Sequence, residues 1–393
     1  MAIFSTYSVC SKLHSKPAQM SSLENYQIEK CRGTHERGGE KEMDQEFDRQ
    51  RKKKLQKRKV ELTDQFSLSR NAKSKKLDIT VLIIVNDAES AEKEYDTSLN
   101  SIRCYCENQK YRLEIVEDTD FRHFCQQENS IFRRHCIVAH LLRESEYVFL
   151  LEPGMAVVND DIRLEEFIDD RYDMTMYDKF TSWEIDTSSY VVKNTVWSRD
   201  FLMKLAEFET KIPSSSNDNT ALHILLQKTF YPQFTEDAGN CMKILENLEF
   251  STGNQQIMLT FEACIRSVIG ENHEFKNNLR IIKKGTAWTR EIWLTDSKWN
   301  QNRDFILNGL KNSHQTTFAH GVLSDILLGR QTWRSPFMKT PSQEKCDFSK
   351  WEYDQSLIVS KFEIDEYLME KFEEVEKMRW QSLAAVGNYM SKV

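Results

Sequence analysis

The segment Asp78–Val85, DITVLIIV, constrains the fold of this chain more than any other stretch. Its apolar residues are mostly β-branched and run on without polar interruption, which is typical of a strand buried on both faces. Helix and strand spacing then alternate through Ser98–Asn108, YRLEIVE, FRRHCIVAHLLRES and Tyr147–Glu152. Such an alternation within about 75 residues predicts βαβ crossovers, and hence an α/β fold with a mostly parallel central sheet flanked by helices.

The pattern changes twice further along the chain. Strands are predicted at MTMYDK and SSYVVKN, and helices at TVWSRDFLMKLAEFET and NDNTALHILLQKTF, the last opened by an Asn/Asp cap. From about residue 236 to 345 the sequence is mixed and Trp-rich. The final segment places five apolar residues on one face of an amphipathic helix: Ile364, Leu368, Phe372, Val375 and Met378.

Charge separates a tail from a body. Residues 1–77 hold 18 Lys and Arg residues against 10 Asp and Glu residues, a net charge of +8. The whole chain has a net charge of −7, so residues 78–393 carry a net charge of −15. The tail lacks sustained apolar periodicity, so we expect it to be disordered. We therefore divide the chain into a basic tail (1–77), a ligand-binding domain (78–345) and a C-terminal segment with an amphipathic helix (346–393).

The basic run at residues 51–59 is of the kind that binds nucleic acid, but such runs are more often simply solvated, and an acidic body repels phosphate backbones. The nine cysteines form no CxxC pair and no zinc-like spacing, and their odd number leaves the redox compartment open. No apolar stretch approaches the roughly 20 residues of a membrane span, and the N-terminus lacks the apolar core of a signal peptide.

Several segments, taken in order, carry a resemblance. They lie within about residues 78–315 and read FRRHCIVAHLL, YVFLLEPGMAVVND, EEFIDD, YDKFTSWEIDTSSYVVKN, DFLMKLAEFE, DNTALH and KKGTAWTREIWLTDSKWNQNRDFILNGLK. Together they resemble a nematode-expanded, DUF273-like family of uncharacterised proteins. That family is related to the fungal and plant galactosyl-, mannosyl- and xylosyltransferases of the GT-A fold.

The resemblance implies a GT-A-like nucleotide-sugar domain. In it, Mn²⁺ assists a retaining hexosyl transfer from a nucleotide sugar to a glycan. It also implies a Golgi or secretory location, because the relatives are usually anchored there by an N-terminal span. It says nothing about the tail or the last helix.

The metal clamp is where this chain departs from the family. A divalent cation normally neutralises the departing diphosphate, and the family holds it with an Asp-x-Asp at a strand end and a later His. The matching residues here are Glu152, Gly154 and Asn308. Glu152 retains one carboxylate, Gly154 has no side chain, and an amide is a poorer ligand than imidazole. We therefore expect Mn²⁺ binding to be weak or absent.

The residues expected to touch the sugar are retained. The resemblance assigns catalytic or orienting roles to Asp178, Asp218 and Asn219, and substrate contacts to Trp183, Glu184 and His223. Carboxylates and amides at loop ends accept and donate hydrogen bonds to sugar hydroxyls. The plainer alternatives stay open: Asp218 and Asn219 also suit a helix cap, and His223 and Trp183 also suit a core.

Two substitutes for the missing clamp follow from the sequence. Asp118 and Asp120 form a literal Asp-x-Asp after the second strand, where the family has a loop. Alternatively, basic side chains at Lys283, Lys284 or Arg290 neutralise the diphosphate without a metal.

Two function hypotheses result, with a nucleic-acid role of the basic tail as a lesser third. The first is a glycosyltransferase-like enzyme whose hexosyl transfer is weak or lost because its metal ligands are replaced. The second is a non-catalytic pseudo-glycosyltransferase or glycan-binding scaffold, which needs no metal clamp.

Overall fold

The structure is a computed structural model that describes residues 77–248, 254–270, 273–315, 333–341, 346 and 348–390. These residues belong to one unit, Ser74–Met390. The predicted tail lies outside the described residues apart from Leu77, and so does the basic run at residues 51–59.

A seven-stranded sheet forms the centre of the fold. Its strands are β1 (Ile79–Val85), β2 (Arg112–Glu117), β3 (Tyr147–Leu151), β5 (Met174–Tyr177), β6 (Tyr190–Lys193), β7 (Glu274–Phe275) and β8 (Leu279–Ile282), in the order β2-β1-β3-β6-β5-β8-β7. A second sheet joins β4 (Ala156–Val157), β10 (Ile306–Asn308) and β9 (Thr289–Glu291) in the order β4-β10-β9. The α/β class with a helix-flanked central sheet is confirmed.

The strand directions agree with the expectation for most of the sheet. β1 pairs in parallel with β2 and β3, and β5 pairs in parallel with β8. β6 is antiparallel to both β3 and β5, and β7 is antiparallel to β8. β1, β2, β3, β5 and β8 therefore run in one direction, so the sheet is mostly parallel as predicted, with β7 and β6 reversed. The reversal of β6 has a local cause. The physical reason is that residues 178–189, the β5–β6 loop, contain no helix, and a parallel return normally requires a helical crossover.

Helices cover both faces of the sheet. They are α1 (Ala88–Glu94), α2 (Asp96–Gln109), α3 (Ser130–Leu141), α4 (Val196–Ala206), α5 (Asp218–Phe230), α6 (Thr235–Leu245), α7 (Asn254–Ile269) and α8 (Lys361–Met390). Side chains that accept from backbone N–H groups cap several of their first turns. Asn129 caps α3, and Asn217 caps α5. The helices expected near residues 98–108, 132–142, 196–209 and 218–230 are confirmed.

Alternating side chains of the central strands supply two separate cores. In β1, Leu82 packs with residues of α3 to α7, whereas Val81 and Ile83 pack with residues of α2 on the opposite face. All three are at most 1% exposed, so β1 is buried on both faces as its apolar run predicts. This two-sided burial leaves the ends of the strands as the place where polar groups can gather.

Within the described residues, disulfides join Cys125 to Cys136 and Cys241 to Cys264. The first joins the segment before α3 to α3 itself, and the second joins α6 to α7. None of the helices in the described ranges combines the length and apolar character that crossing a bilayer requires.

Candidate functional site

The candidate site lies at one edge of the central sheet. Because β3 and β5 are both antiparallel to β6, they run in the same direction as each other, and β1 and β8 run with them. Their carboxyl ends therefore meet at the same edge, where open α/β sheets bind ligands. Glu152 follows β3, Asp178 follows β5 and Lys283 follows β8. These three residues, all singled out in the sequence, are thus brought to the same edge of the sheet.

The three positions matched to the family's metal ligands are adjacent in space. The Gly154 carbonyl accepts hydrogen bonds from the backbone N–H groups of Gly309 (3.1 Å) and Leu310 (3.0 Å), which ties the turn after β3 to the end of β10. A Cβ atom built on Gly154 would lie 3.7 Å from Oδ1 of Asn308. The Asn308 side chain also hydrogen bonds to the Glu152 carboxylate. The three positions that the resemblance singles out therefore lie together at the sheet edge.

Glu152 is the polar centre of this neighbourhood. Its side chain is 38% exposed, and Nη1 of Arg134 lies 3.7 Å from its Oε1. Burial raises the pKa of Glu152, Arg134 opposes that rise, and the nearby Asp186 carboxylate adds to it. Among the described residues, no group of three or more His, Cys, Asp or Glu side chains is arranged to hold a metal ion.

Arg134, Lys179 and Asp186 lie near Glu152, and Glu291 lies near Asp186 and Lys179; the sequence did not single out these four as neighbours of Glu152. Glu291 ends β9, and its Cα atom pairs with that of Asn308 in the parallel register of β9 and β10. Burial raises the pKa of Glu291, and Asp186 raises it further. Lys179 interacts with Glu184, Asp186 and Glu291. We call Glu152, Asn308, Asp186 and Glu291 the edge cluster.

Asp218 and Asn219 lie in the first turn of α5 and hold other parts of the site in place. The Asp218 carboxylate accepts from Nε (3.1 Å) and Nη2 of Arg134 and from Nε2 of His135 (2.9 Å). Burial alone would raise the Asp218 pKa, but Arg134 and His135 outweigh it and hold the pKa well below its usual range. Oδ1 of Asn219 accepts from the backbone N–H (3.0 Å) and the hydroxyl (2.5 Å) of Thr187.

His223 is fully buried and bonded at both ring nitrogens. Its Nδ1 lies 2.7 Å from the Asn219 carbonyl, and its Nε2 accepts from the Ile185 backbone N–H at 3.2 Å. These partners fix the neutral ring with the proton on Nδ1. Burial lowers the His223 pKa to about 4. His223 therefore supports the β5–β6 loop and has no nitrogen left for a substrate.

Asp178 is also engaged inside the protein. Nη2 of Arg266 lies 3.1 Å from its Oδ1, and Nε2 of His273 lies 3.4 Å from its Oδ2. Burial raises the Asp178 pKa, but Arg266 and His273 more than compensate and lower it. The carboxylate is 9% exposed. The residue therefore joins the end of β5 to α7.

Trp183 does not face the sheet edge. It is 4% exposed and packs with Ala263 of α7 and Val375 of α8, and its indole N–H donates to the Leu259 carbonyl at 3.1 Å. The expected stacking on a sugar ring is therefore corrected: the indole fills the gap between the β5–β6 loop and the two helices. Glu184 is 5% exposed and pairs with Lys179 at 3.3 Å.

The two substitute clamps are engaged elsewhere. Asp118 is buried and paired with Arg133, so its carboxylate is not offered to a ligand. Arg290 is buried and donates to both carboxylate oxygens of Asp304 (2.7 and 2.9 Å). Lys284 donates to the Ser182 carbonyl, and burial lowers its pKa to about 8. The cations nearest Glu152 are instead Arg134 and Lys179.

Comparisons with known proteins identify a family and find similar solved structures. A family model described as "Protein of unknown function, DUF273" matches residues 102–325. One similar solved structure is a glycosyltransferase involved in glycosylation of the major capsid of PBCV-1, with 12% identity, a TM-score of 0.34 and coverage of 58% of this chain and 92% of that chain. Another is the glycosyltransferase GlyE of Streptococcus pneumoniae TIGR4, with 11% identity, a TM-score of 0.28 and coverage of 42% and 48%. No curated protein matches the chain.

Proposed function

This chain belongs to the DUF273 family, a family of proteins of unknown function, and we propose that it is a glycosyltransferase-like protein whose hexosyl transfer is weak or lost. The proposed ligand is a nucleotide sugar, bound at the carboxyl edge of the central sheet, with a glycan as acceptor. The edge cluster is the part of the chain that would contact it.

The observation that carries this proposal is the ligand set around Glu152. The family's clamp needs two strand-end carboxylates and an imidazole, whereas this chain brings together one carboxylate, the side-chain-free Gly154 and the amide of Asn308. A hard dication prefers several oxygen ligands, and one carboxylate with one amide is a poor set. Asp186 and Glu291 do not complete it, because no three such side chains among the described residues are arranged to hold a metal ion. The residues present therefore do not fit Mn²⁺, and we derive no catalytic step through it.

The chain's own residues nevertheless offer contacts to a sugar. Carboxylate oxygens of Glu152 and Glu291 accept hydrogen bonds from hydroxyl groups, and Asn308 between them both donates and accepts. Arg134 and Lys179 are the cations closest to a developing negative charge on a leaving group. Both are already paired, with Asp218 and with Glu184, so their help to a departing diphosphate is limited.

The second candidate, a non-catalytic glycan-binding scaffold, is favoured by charge. The carboxyl groups of Glu152, Asp186 and Glu291 outnumber the cations Arg134 and Lys179. An excess of negative charge repels a diphosphate, whereas carboxylate oxygens still accept hydrogen bonds from neutral hydroxyl groups. A free glycan, without the nucleotide, is the ligand that this balance suits.

The experiment is a calorimetric titration of the full chain with UDP-galactose, GDP-mannose and UDP-xylose, each with and without Mn²⁺, together with a transfer assay. We expect weak, Mn²⁺-independent binding and little or no product. The variant Glu152→Asp/Gly154→Asp/Asn308→His restores the clamp and should gain Mn²⁺-dependent binding. Asn302→His is the matched control, because it adds an imidazole at an exposed position of the same segment.

Two results would overturn the proposal in different ways. Tight Mn²⁺-dependent binding and turnover by the natural chain would show that a working clamp lies elsewhere. A restored variant that binds no nucleotide sugar would show that the family's site does not transfer to this chain. In that case, binding of free oligosaccharides by the natural chain would support the scaffold candidate.

We also propose that the protein matures in the secretory pathway, the Golgi included. Cys125–Cys136 and Cys241–Cys264 support this, because disulfides persist in oxidising compartments and are rare in the cytosol. Alkylation of the protein purified from its native tissue, followed by peptide mass spectrometry, tests it. Free thiols at these four positions would contradict the proposed location.

A further inference from the structure

Two buried carboxyl groups meet behind the edge cluster. Glu184 of the β5–β6 loop is 5% exposed, and Glu262 of α7 is 3% exposed. The two side chains hydrogen bond to each other. Oε1 of Glu184 and Oε2 of Glu262 are buried and have no donor to accept from as long as both groups are ionised. Buried polar atoms rarely lack partners, and two carboxylates bond to each other only when one carries a proton.

We propose that Glu262 holds this proton and that the resulting acid–carboxylate bond positions the β5–β6 loop, and with it Lys179 and Asp186, beside the ligand. Glu262 is thus a positioning residue that acts through Glu184. Its importance for binding rests on the proposed function, but its protonation does not.

The surroundings decide which of the two groups is protonated. Nζ of Lys179 lies 3.3 Å from Oε2 of Glu184, so ionised Glu184 has a direct counter-ion. Burial would raise the Glu184 pKa, but Lys179 and the bond from Glu262 lower it. Burial raises the Glu262 pKa well above its usual value, and the Glu184 charge raises it further. The proton therefore resides mainly on Glu262, with the titration shared by the pair.

Charged groups face this pair from every element packed around it. They are Lys179 in the loop, His223 on α5, Arg266 on α7 and Lys284 after β8. Asp178 pairs with both Arg266 and His273, and Glu376 and Arg379 of α8 lie near Lys284. Asp178 holds Arg266, and Lys284 donates to the Ser182 carbonyl. Lys179 is thus the cation paired directly with Glu184.

The loop transmits the position of Glu184 to the edge cluster. The Lys179 backbone N–H donates to the Glu184 carbonyl at 2.9 Å, and the Asp186 N–H donates to the Tyr177 carbonyl at 2.9 Å. Ile185, which follows Glu184, donates its backbone N–H to Nε2 of His223. Loss of the shared proton would place two negative charges together in the interior, and their repulsion would push the loop away from α7.

The test compares the pH dependence of unfolding in the full-length protein and in Glu262→Gln. A carboxyl group whose folded-state pKa is raised stabilises the fold fully below its unfolded pKa of 4.5. That stability falls as pH rises and is lost by the time the pH has passed the folded-state value. Gln is neutral throughout and can donate the same hydrogen bond. We therefore expect the unfolding constant of the wild type, relative to Glu262→Gln, to rise by about tenfold per pH unit over this window.

Glu366→Gln makes the same chemical change at an exposed position of α8 and should parallel the wild type. Parallel profiles for wild type and Glu262→Gln would overturn the proposal. If Glu262→Gln does not fold, infrared spectroscopy of the wild type decides: a protonated carboxylic acid band at pH 7 that disappears in alkali supports it, and no such band refutes it.

Two further measurements separate positioning from mere stability. At pH 8, hydrogen exchange in residues 179–187 should be slower in Glu262→Gln than in the wild type, because the loop keeps its attachment. If the proposed function holds, ligand affinity should fall with rising pH in the wild type but not in Glu262→Gln. A protein that binds no sugar at any pH yet shows the unfolding difference would remove the proposed function and leave the shared proton standing.

Discussion

The edge cluster and the anchor beneath it are built from the same kinds of residue but differ in how their polar groups are used. The anchor, defined as Asp218, Asn219 and His223 on α5, has every side-chain contact directed into the protein, and none of its side chains is exposed beyond a few per cent. Glu152 in the edge cluster keeps 38% of its side chain exposed, with its nearest cation at 3.7 Å.

This difference shows what a family resemblance can and cannot identify. The segment YVFLLEPGMAVVND contains Glu152 of the edge cluster, and the segment DNTALH contains the anchor. Both carry the resemblance equally, because a scaffold that positions a site is as necessary as the site itself. Polar groups whose partners are all internal stabilise the fold, whereas recessed groups with few partners are available to a ligand. Burial and bonding, rather than the match to a motif, separate the two roles.

The largest expected effect comes from Trp183, which the sequence places in the site and the structure places in the core. Trp183→Ala should lower the free energy of unfolding by about 4–5 kcal/mol, the upper part of the range for buried aromatic truncation. Urea denaturation at pH 7 measures it. Phe124→Ala, at a position that is 55% exposed, is the control and should change little. A Trp183→Ala protein of normal stability that fails only in sugar binding would reverse our assignment.

The stability losses of Asp218→Ala and Glu152→Ala, measured side by side, test the difference between the anchor and the edge cluster directly. Removing Asp218 leaves the Arg134 guanidinium largely buried without its main partner, which costs about 3–4 kcal/mol. Removing the partly exposed Glu152 should cost at most about 1 kcal/mol and should act on ligand binding instead. Equal losses of stability in the two variants would show that Glu152 is as structural as the anchor.

The order and type of the elements could be predicted because they depend on local periodicity. β1 reads as a buried strand from DITVLIIV alone, and α5 starts at its Asn cap. The reversed direction of β6 could not, since it depends on which neighbours the strand finds across the sheet. The same limit applies to the site: Gly154 and Asn308 were found through the resemblance, whereas Glu291 enters through the register of β9 against β10, which no local pattern encodes.

Acid should weaken the anchor through His223. His223 has a pKa of about 4 in the folded protein against 6.5 as its ordinary value, so the unfolded state binds a proton first as the pH falls. Stability is fully present above pH 6.5 and is lost as the pH falls towards 4, by roughly 3 kcal/mol in total. His223→Gln should flatten this part of the stability profile, whereas His314→Gln, at an exposed position, should not. A profile unchanged by His223→Gln would mean that the ring is protonated in the folded state.

The smallest expected effect concerns the space at Gly154. Its added Cβ would have no neighbour closer than 3.5 Å, and its φ is not among the positive ones. Gly154→Ala should therefore be neutral or slightly stabilising, by at most about 1 kcal/mol, through reduced freedom of the unfolded chain. Gly309, whose backbone N–H donates to the Gly154 carbonyl, has a φ of +94°, and a Cβ added to it would lie 3.4 Å from the Trp293 side chain.

Gly309→Ala should therefore destabilise the protein by about 1–2 kcal/mol, because an L side chain is strained at that backbone angle. Thermal unfolding of the two variants side by side measures the contrast. If Gly154→Ala is as costly as Gly309→Ala, the edge of the sheet has closed around the position of the lost ligand. The triple variant that restores the clamp would then bind no Mn²⁺ because its new side chains lack space, not because ligands are missing. If Gly154→Ala is neutral, the site still has room for the missing carboxylate.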